Sequence, residues 1–105
     1  MLEKLTAASL SEQLNTKFRL HLPSSEIVEL ELTDVEDFGS SGRQERFSIL
    51  FKGPLDPAVW QGMYRLDHDH FGTLDLFIVA IGKEEDGMRY EAVFNRLNKP
   101  QPKTV

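Results

Sequence analysis

One stretch, Thr73 to Asn95 (TLDLFIVAIGKEEDGMRYEAVFN), limits what this chain can fold into more than any other. Apolar runs at 74–81 and 88–95 flank an acidic segment at 83–87. Their alternation and their β-branched and aromatic residues predict an antiparallel hairpin. Pairing Ile78 with Ala92 puts Leu74, Leu76, Ile78, Ala80, Tyr90, Ala92 and Phe94 on one face. The opposite face is also apolar, with Phe77, Val79, Ile81 and Val93, and Met63 beside them. A strand that is apolar on both sides is expected to be covered on both. One cover is the rest of the β-structure. The other is the N-terminal helix, through Leu5, Leu10 and Leu14, or a protein partner. Gly87 is expected in a left-handed conformation that closes the turn.

The preceding chain supplies the other strands. Lys17 to Leu22 alternates, with Phe18, Leu20 and Leu22 facing one way. Pro23-Ser24-Ser25 reads as a turn. Ile27 to Leu32 alternates again, with Val28, Leu30 and Leu32 inward. Placing Leu20 opposite Leu30 sets Arg19 against Glu31 and His21 against Glu29, a favourable register. Apolar parity then slips around Thr33–Val35, as a β-bulge requires. Gly39-Ser40-Ser41-Gly42 reads as a flexible loop, and Arg46 to Lys52 as a strand with Phe47, Ile49 and Phe51 on one face. Pro54 and Pro57 end it. Gly62 to Asp67 pairs with the start of the long hairpin. Leu66 against Leu74 sets Arg65 against Asp75 and leaves 68–72 as the turn, whereas a longer register would oppose Asp67 and Asp75.

Residues 2–15 read as a short helix with Thr6 as N-cap, Leu5 and Leu10 as a hydrophobic staple, and Leu14 on the face of Leu10. The expected fold is therefore mainly β: a six-stranded antiparallel meander forming a small barrel or sandwich, with one short N-terminal helix packed on it. With 105 residues the chain is one domain, 1–97, with a flexible tail over 98–105.

Composition narrows the function classes. The chain has no cysteine, which leaves no disulfide framework and no thiolate metal site. The net charge of −5 argues against a nucleic-acid surface. No run approaches the length of a membrane helix, and the opening MLEKLTAASL is not a signal peptide. A cytoplasmic location is expected. The acids crowded into 26–37 read as a solvated face.

Catalytic signals are weak. Asp67-His68-Asp69-His70 has the ligand types for zinc, but a closed site needs four ligands and the chain has only three histidines. In a turn, His68 and His70 are expected to be solvated, and neither a metal nor a cofactor is expected. Ser40, Ser41 and Ser48 lack the Gly-x-Ser-x-Gly context of an activated nucleophile. The large interior predicted from Phe18, Phe47, Phe51, Tyr64 and Phe94 fills a small barrel and leaves little room for a ligand. Arg89 and Glu91, two apart on one strand beside Val79 and Ile81, are expected to pair laterally, as a rim or as an interface anchor. Trp60, in a Pro-flanked crossover, is either a core plug or an exposed hot spot.

Leu5-Thr6-Ala7-Ala8, Glu45-Arg46-Phe47-Ser48 with Phe51, Gly53 and Pro54, Gln61-Gly62, Tyr64-Arg65-Leu66 and above all Gly87-Met88-Arg89-Tyr90-Glu91-Ala92-Val93-Phe94-Asn95 resemble a family of small uncharacterised bacterial proteins. The resemblance spans roughly 5–95 and brings no catalytic residue with it. It implies an occurrence beside phage-tail-like or collar-type proteins, hence a structural or assembly role. The expected function is a non-enzymatic interaction module that binds a protein partner or itself through Phe77, Val79, Ile81, Arg89, Glu91 and Trp60, without nucleic acid or membrane. The alternative is a small-ligand-binding β-barrel.

Overall fold

The computed structural model of the chain describes residues 5–41 and 44–97; the tail expected at 98–105 lies outside them. Helix α1 (Ala7–Ser11) opens on Thr6, whose extended backbone and hydroxyl make a reciprocal capping box with Ser9. That cap explains why the helix is shorter than the 2–15 expected. The extended Thr6 backbone starts the helix at Ala7, and residues 2–4 of the expected span lie outside the described residues. At the other end Asn15 takes a left-handed φ of 68° and its N–H bonds to the Leu32 carbonyl at 2.7 Å, drawing the chain into the sheet. Leu10 is buried as expected. Leu14 lies beyond the helix and is exposed, contrary to the shared face expected for it.

Strands β1 (Lys17–His21), β2 (Ile27–Ser41), β3 (Gln44–Gly53), β4 (Gly62–His68), β5 (Gly72–Glu84) and β6 (Gly87–Leu97) form one antiparallel sheet. It closes into a barrel in the order β1-β2-β3-β6-β5-β4. Of the two expected forms, the barrel is therefore the one adopted. The connectivity is two three-stranded meanders rather than one run of six. β3 lies beside β6, β4 returns to β1, and residues 54–61 cross between the halves. That crossover contains a cis bond between Asp56 and Pro57.

The β1–β2 register differs by two residues from the sequence expectation. Phe18 faces Leu30 and Arg19 faces Glu29, with Lys17 opposite Glu31 and His21 opposite Ile27. The turn decides it. Leu22 N–H bonds to the Glu26 carbonyl at 2.9 Å, leaving Pro23-Ser24-Ser25 as a three-residue loop with Ser25 at φ 81°. A left-handed third residue is the usual closure of such a loop. A two-residue slip keeps every side chain on its own face and still opposes unlike charges, so the alternating pattern does not distinguish the two registers.

Elsewhere the registers agree. Leu66 faces Leu74 and Arg65 faces Asp75, and the β5–β6 ladder has the offset expected from Ile78 opposite Ala92. The bulge falls between Leu32 and Asp34, where apolar parity changes. The expected 39–42 loop is not a loop as far as it is described: β2 runs on through Ser41 across a second irregularity at Asp37–Ser40, and Gly42 lies outside the described residues.

The interior holds Phe18, Leu30, Phe51, Leu66, Ile78 and Tyr90, all fully buried. Leu5 and Leu10 of the N-terminal segment join the same core, with α1 packed against β2 and β3. The Tyr90 hydroxyl accepts a 2.9 Å hydrogen bond from the Val59 N–H, fastening the crossover to the core. Tyr64, expected inside, is half-buried and donates its hydroxyl to the Trp60 carbonyl at 2.7 Å.

Candidate functional site

The second apolar face of the long hairpin lies on the outside of the barrel. Met63 on β4 stands directly opposite Phe77 on β5, and both side chains reach solvent, at 65% and 47% exposure. Val79, two residues along, is half-buried beside Glu91. Val93, two residues past Glu91, is 61% exposed. Ile81 is 49% exposed and occupies an irregularity in the β5–β6 ladder between Ala80 and Gly82. There the inward series ends: Ala80, expected in the core, is exposed.

No second layer of the chain's described residues covers this face, so of the two covers considered, helix or partner, α1 is not the one. α1 is too short, and Leu5 and Leu10 are committed to the interior against β2 and β3. Exposed apolar side chains that adjoin across strands, rather than scatter singly, are the ordinary mark of an interaction surface.

Arg89 and Glu91 do not pair with each other. The Arg89 guanidinium lies 3.3 Å from a Glu84 carboxylate oxygen on β5 and 3.6 Å from one of Asp34 on β2. It therefore ties β6 to strands on both sides of it. Its Nε is buried without a hydrogen-bond partner among the described residues, as is the Ser48 hydroxyl. Glu84 lies on the adjacent strand β5, and Asp34 one strand further away, across β3, so the guanidinium reaches over the sheet rather than along its own strand. Trp60 is 83% exposed just before β4, so of its two readings the core plug is excluded.

The histidines are arranged differently from the sequence expectation. His68 is the last residue of β4 and is buried rather than solvated. Its ring lies 4.2 Å from that of Phe18 and 5.0 Å from that of Phe71, between centroids. Nδ1 accepts the main-chain N–H groups of His70 at 3.0 Å and Phe71 at 3.3 Å. The proton is then on Nε2, which is 2.8 Å from the Thr16 hydroxyl; that hydroxyl in turn donates to the Gln13 carbonyl at 2.6 Å. Burial holds the His68 pKa below its ordinary value, with the positive charges of His70 and Arg19 adding to the effect and Asp69 opposing it. With both nitrogens occupied, His68 has no lone pair to offer a metal. His70 is exposed, its ring set edge-on to Phe71.

His21, the third histidine, contacts Asp67 at 2.7 Å, and the Thr73 hydroxyl donates to the other Asp67 oxygen at 2.9 Å. These two bonds, His21 first, draw the Asp67 pKa down. Among the described residues no three His, Asp or Glu side chains gather as a metal site. A surface groove of about 440 Å³ lies outside the barrel, and Lys17, Glu29, Glu31 and Lys52 line it with charges of both signs.

Phe38 and Ile27 are exposed apolar residues that sequence reasoning did not single out. Phe38 sits inside the second β2 irregularity, where alternation no longer predicts orientation. Ile27 begins its strand, and its odd parity beside Val28 was the available signal.

No curated protein and no solved structure matches this chain. One family model does, over residues 5–94, which takes in the helix and all six strands as far as Phe94 in β6. The chain belongs to that family, the domain of unknown function DUF6916.

Proposed function

We propose that the protein is a non-enzymatic interaction module, a β-barrel whose outer β4–β5–β6 wall docks another protein. The observation that carries this reading is the cross-strand pair Met63–Phe77 in solvent, continued by Val79, Val93 and Ile81. Burying such a face in a partner removes apolar surface from water, which is the main driving force of association. Arg89, Glu91 and the exposed Trp60 add the residue types that anchor and rim interfaces. The resemblance to small bacterial proteins found beside phage-tail-like and collar-type proteins makes a multi-subunit assembly the proposed setting.

The ligand-binding alternative has less support, because Phe18, Phe51 and Tyr90 occupy the barrel interior. The test is a pull-down from the native host's extract with the wild-type protein and with a Met63→Asp/Phe77→Asp double variant. A partner retained by the first and lost by the second supports the reading. Equal retention by both, or none by either together with a monomeric mass, ends it.

A further inference from the structure

The β6 strand is hydrogen-bonded on both sides along only part of its length. Toward β3 the ladder is unbroken from Met88 to Leu97, with no register shift. Toward β5 the ladder stops at Val79 opposite Glu91, and Gly72 to Ile78 of β5 are paired only on their β4 side. From Ala92 to Leu97 one edge of β6 thus has no ladder partner among the described residues. β2 is open in the same way beyond Leu32, where the β1 ladder and its last main-chain bonds to Asn15 and Thr16 end. The far parts of β2, β3 and β6 form a three-stranded extension with two open edges.

The two edges are not equivalent. β2 carries irregularities at Leu32–Asp34 and at Asp37–Ser40, together with Asp34, Glu36 and Asp37. Bulges and charges are the devices that keep an edge from pairing. β6 has neither. Ala92 to Leu97 contains no acidic residue in a chain of net charge −5, its ladder is regular, and Val93 points outward into solvent. A regular open edge is a row of N–H and C=O groups matched to one kind of partner, another β-strand.

We infer that this edge joins two copies of the chain, β6 pairing antiparallel with β6 of the second copy about a two-fold axis. Such pairing is self-complementary and requires no other sequence. Charge permits a second copy here, because in an acidic chain this open stretch carries no carboxylate to repel its counterpart. The result is one continuous sheet through both extensions, with the two Val93 side chains brought to neighbouring positions on its outer face. The inference rests on the interaction reading and deepens it by naming the partner and the edge.

The experiment is the solution mass by light scattering at micromolar concentration. The wild-type protein is expected as a dimer. Val93→Glu and Val93→Lys each place like charges together across the axis and each raise the dimer Kd by about tenfold or more. An equimolar mixture of the two variants, in which unlike charges meet, recovers the dimer. Val93 is exposed, so circular dichroism of both variants is expected to match the wild type. A wild-type monomer overturns the inference. So does a dimer indifferent to both substitutions. A dimer lost in Phe77→Asp but kept in Val93→Glu removes the edge and leaves the wall reading standing.

Discussion

His68 and Thr16, 52 residues apart in sequence, share a 2.8 Å hydrogen bond that ties the end of β4 to the segment joining the helix to β1. The full set of bonds needs a neutral ring: Nε2–H donates to Thr16 in either state, but Nδ1 accepts two main-chain amides only while it is unprotonated. Protonation would turn that acceptor into a donor facing donors. Burial lowers the folded pKa below the value of 6.5 expected in the unfolded chain. The unfolded state therefore binds the proton first as pH falls, and stability is lost from about pH 6.5 down to the depressed folded value. Urea unfolding at successive pH values is expected to show this loss in the wild type and less of it in His68→Phe. Nitrogen chemical shifts are expected to report the Nε2–H tautomer of His68 at pH 7.

Gly87 packs against Gly53 at the closed end of the hairpin. A Cβ on Gly87 would stand 2.6 Å from the Gly53 carbonyl oxygen, and neither backbone can move without disturbing the β3–β6 ladder. Gly87 has no positive φ, so the left-handed role expected for it is replaced by a steric one. Gly87→Ala is expected to cost about 1–3 kcal/mol by overpacking. Gly82→Ala, with nothing within 4 Å of its Cβ, is the control and is expected to stay near wild type in thermal denaturation.

Ser25 holds φ 81° in the β1–β2 loop, a conformation costly for a residue with a Cβ. Its main-chain N–H donates to the Leu22 carbonyl at 2.9 Å. Ser25→Gly keeps that bond and relieves the strain. It is expected to stabilise the protein by about 0.5–1 kcal/mol, net of the added freedom of the unfolded chain. Ser25→Val is expected to destabilise it, and denaturant midpoints rank the three.

Tyr90 is fully buried and its hydroxyl is the acceptor for the Val59 amide. Tyr90→Phe keeps the ring and strands the amide. The expected cost is about 1–3 kcal/mol, the penalty for a buried donor left unpaired. Hydrogen exchange is expected to speed up at Val59 before it does so in the strands.

The registers show what a linear pattern carries and where it stops. Arg65 opposite Asp75 was legible because the competing register opposed two aspartates. The β1–β2 register was not, because a two-residue slip preserves both parity and charge pairing. Of the candidate surface, Met63, Phe77, Ile81 and Val93 were legible as an outward apolar set, whereas the partners of Arg89 were not. Asp34 and Glu84 reach Arg89 only through the stacking of β2, β3, β6 and β5.

By itself the sequence determined the side-facing of the regular parts of the strands, though not of Tyr64, Ala80 or the irregular end of β2, together with the bulge at Thr33, the Thr6 cap and the antiparallel hairpins. Each follows from spacing and backbone preference within a few residues. Tertiary structure alone decided that β3 meets β6 and β4 meets β1, that His68 is buried, and that α1 closes the core instead of shielding Phe77. The physical reason is that strand edges present the same N–H and C=O groups whatever the side chains. Which edges meet is therefore settled by closure and packing of the whole barrel, not by any local pattern.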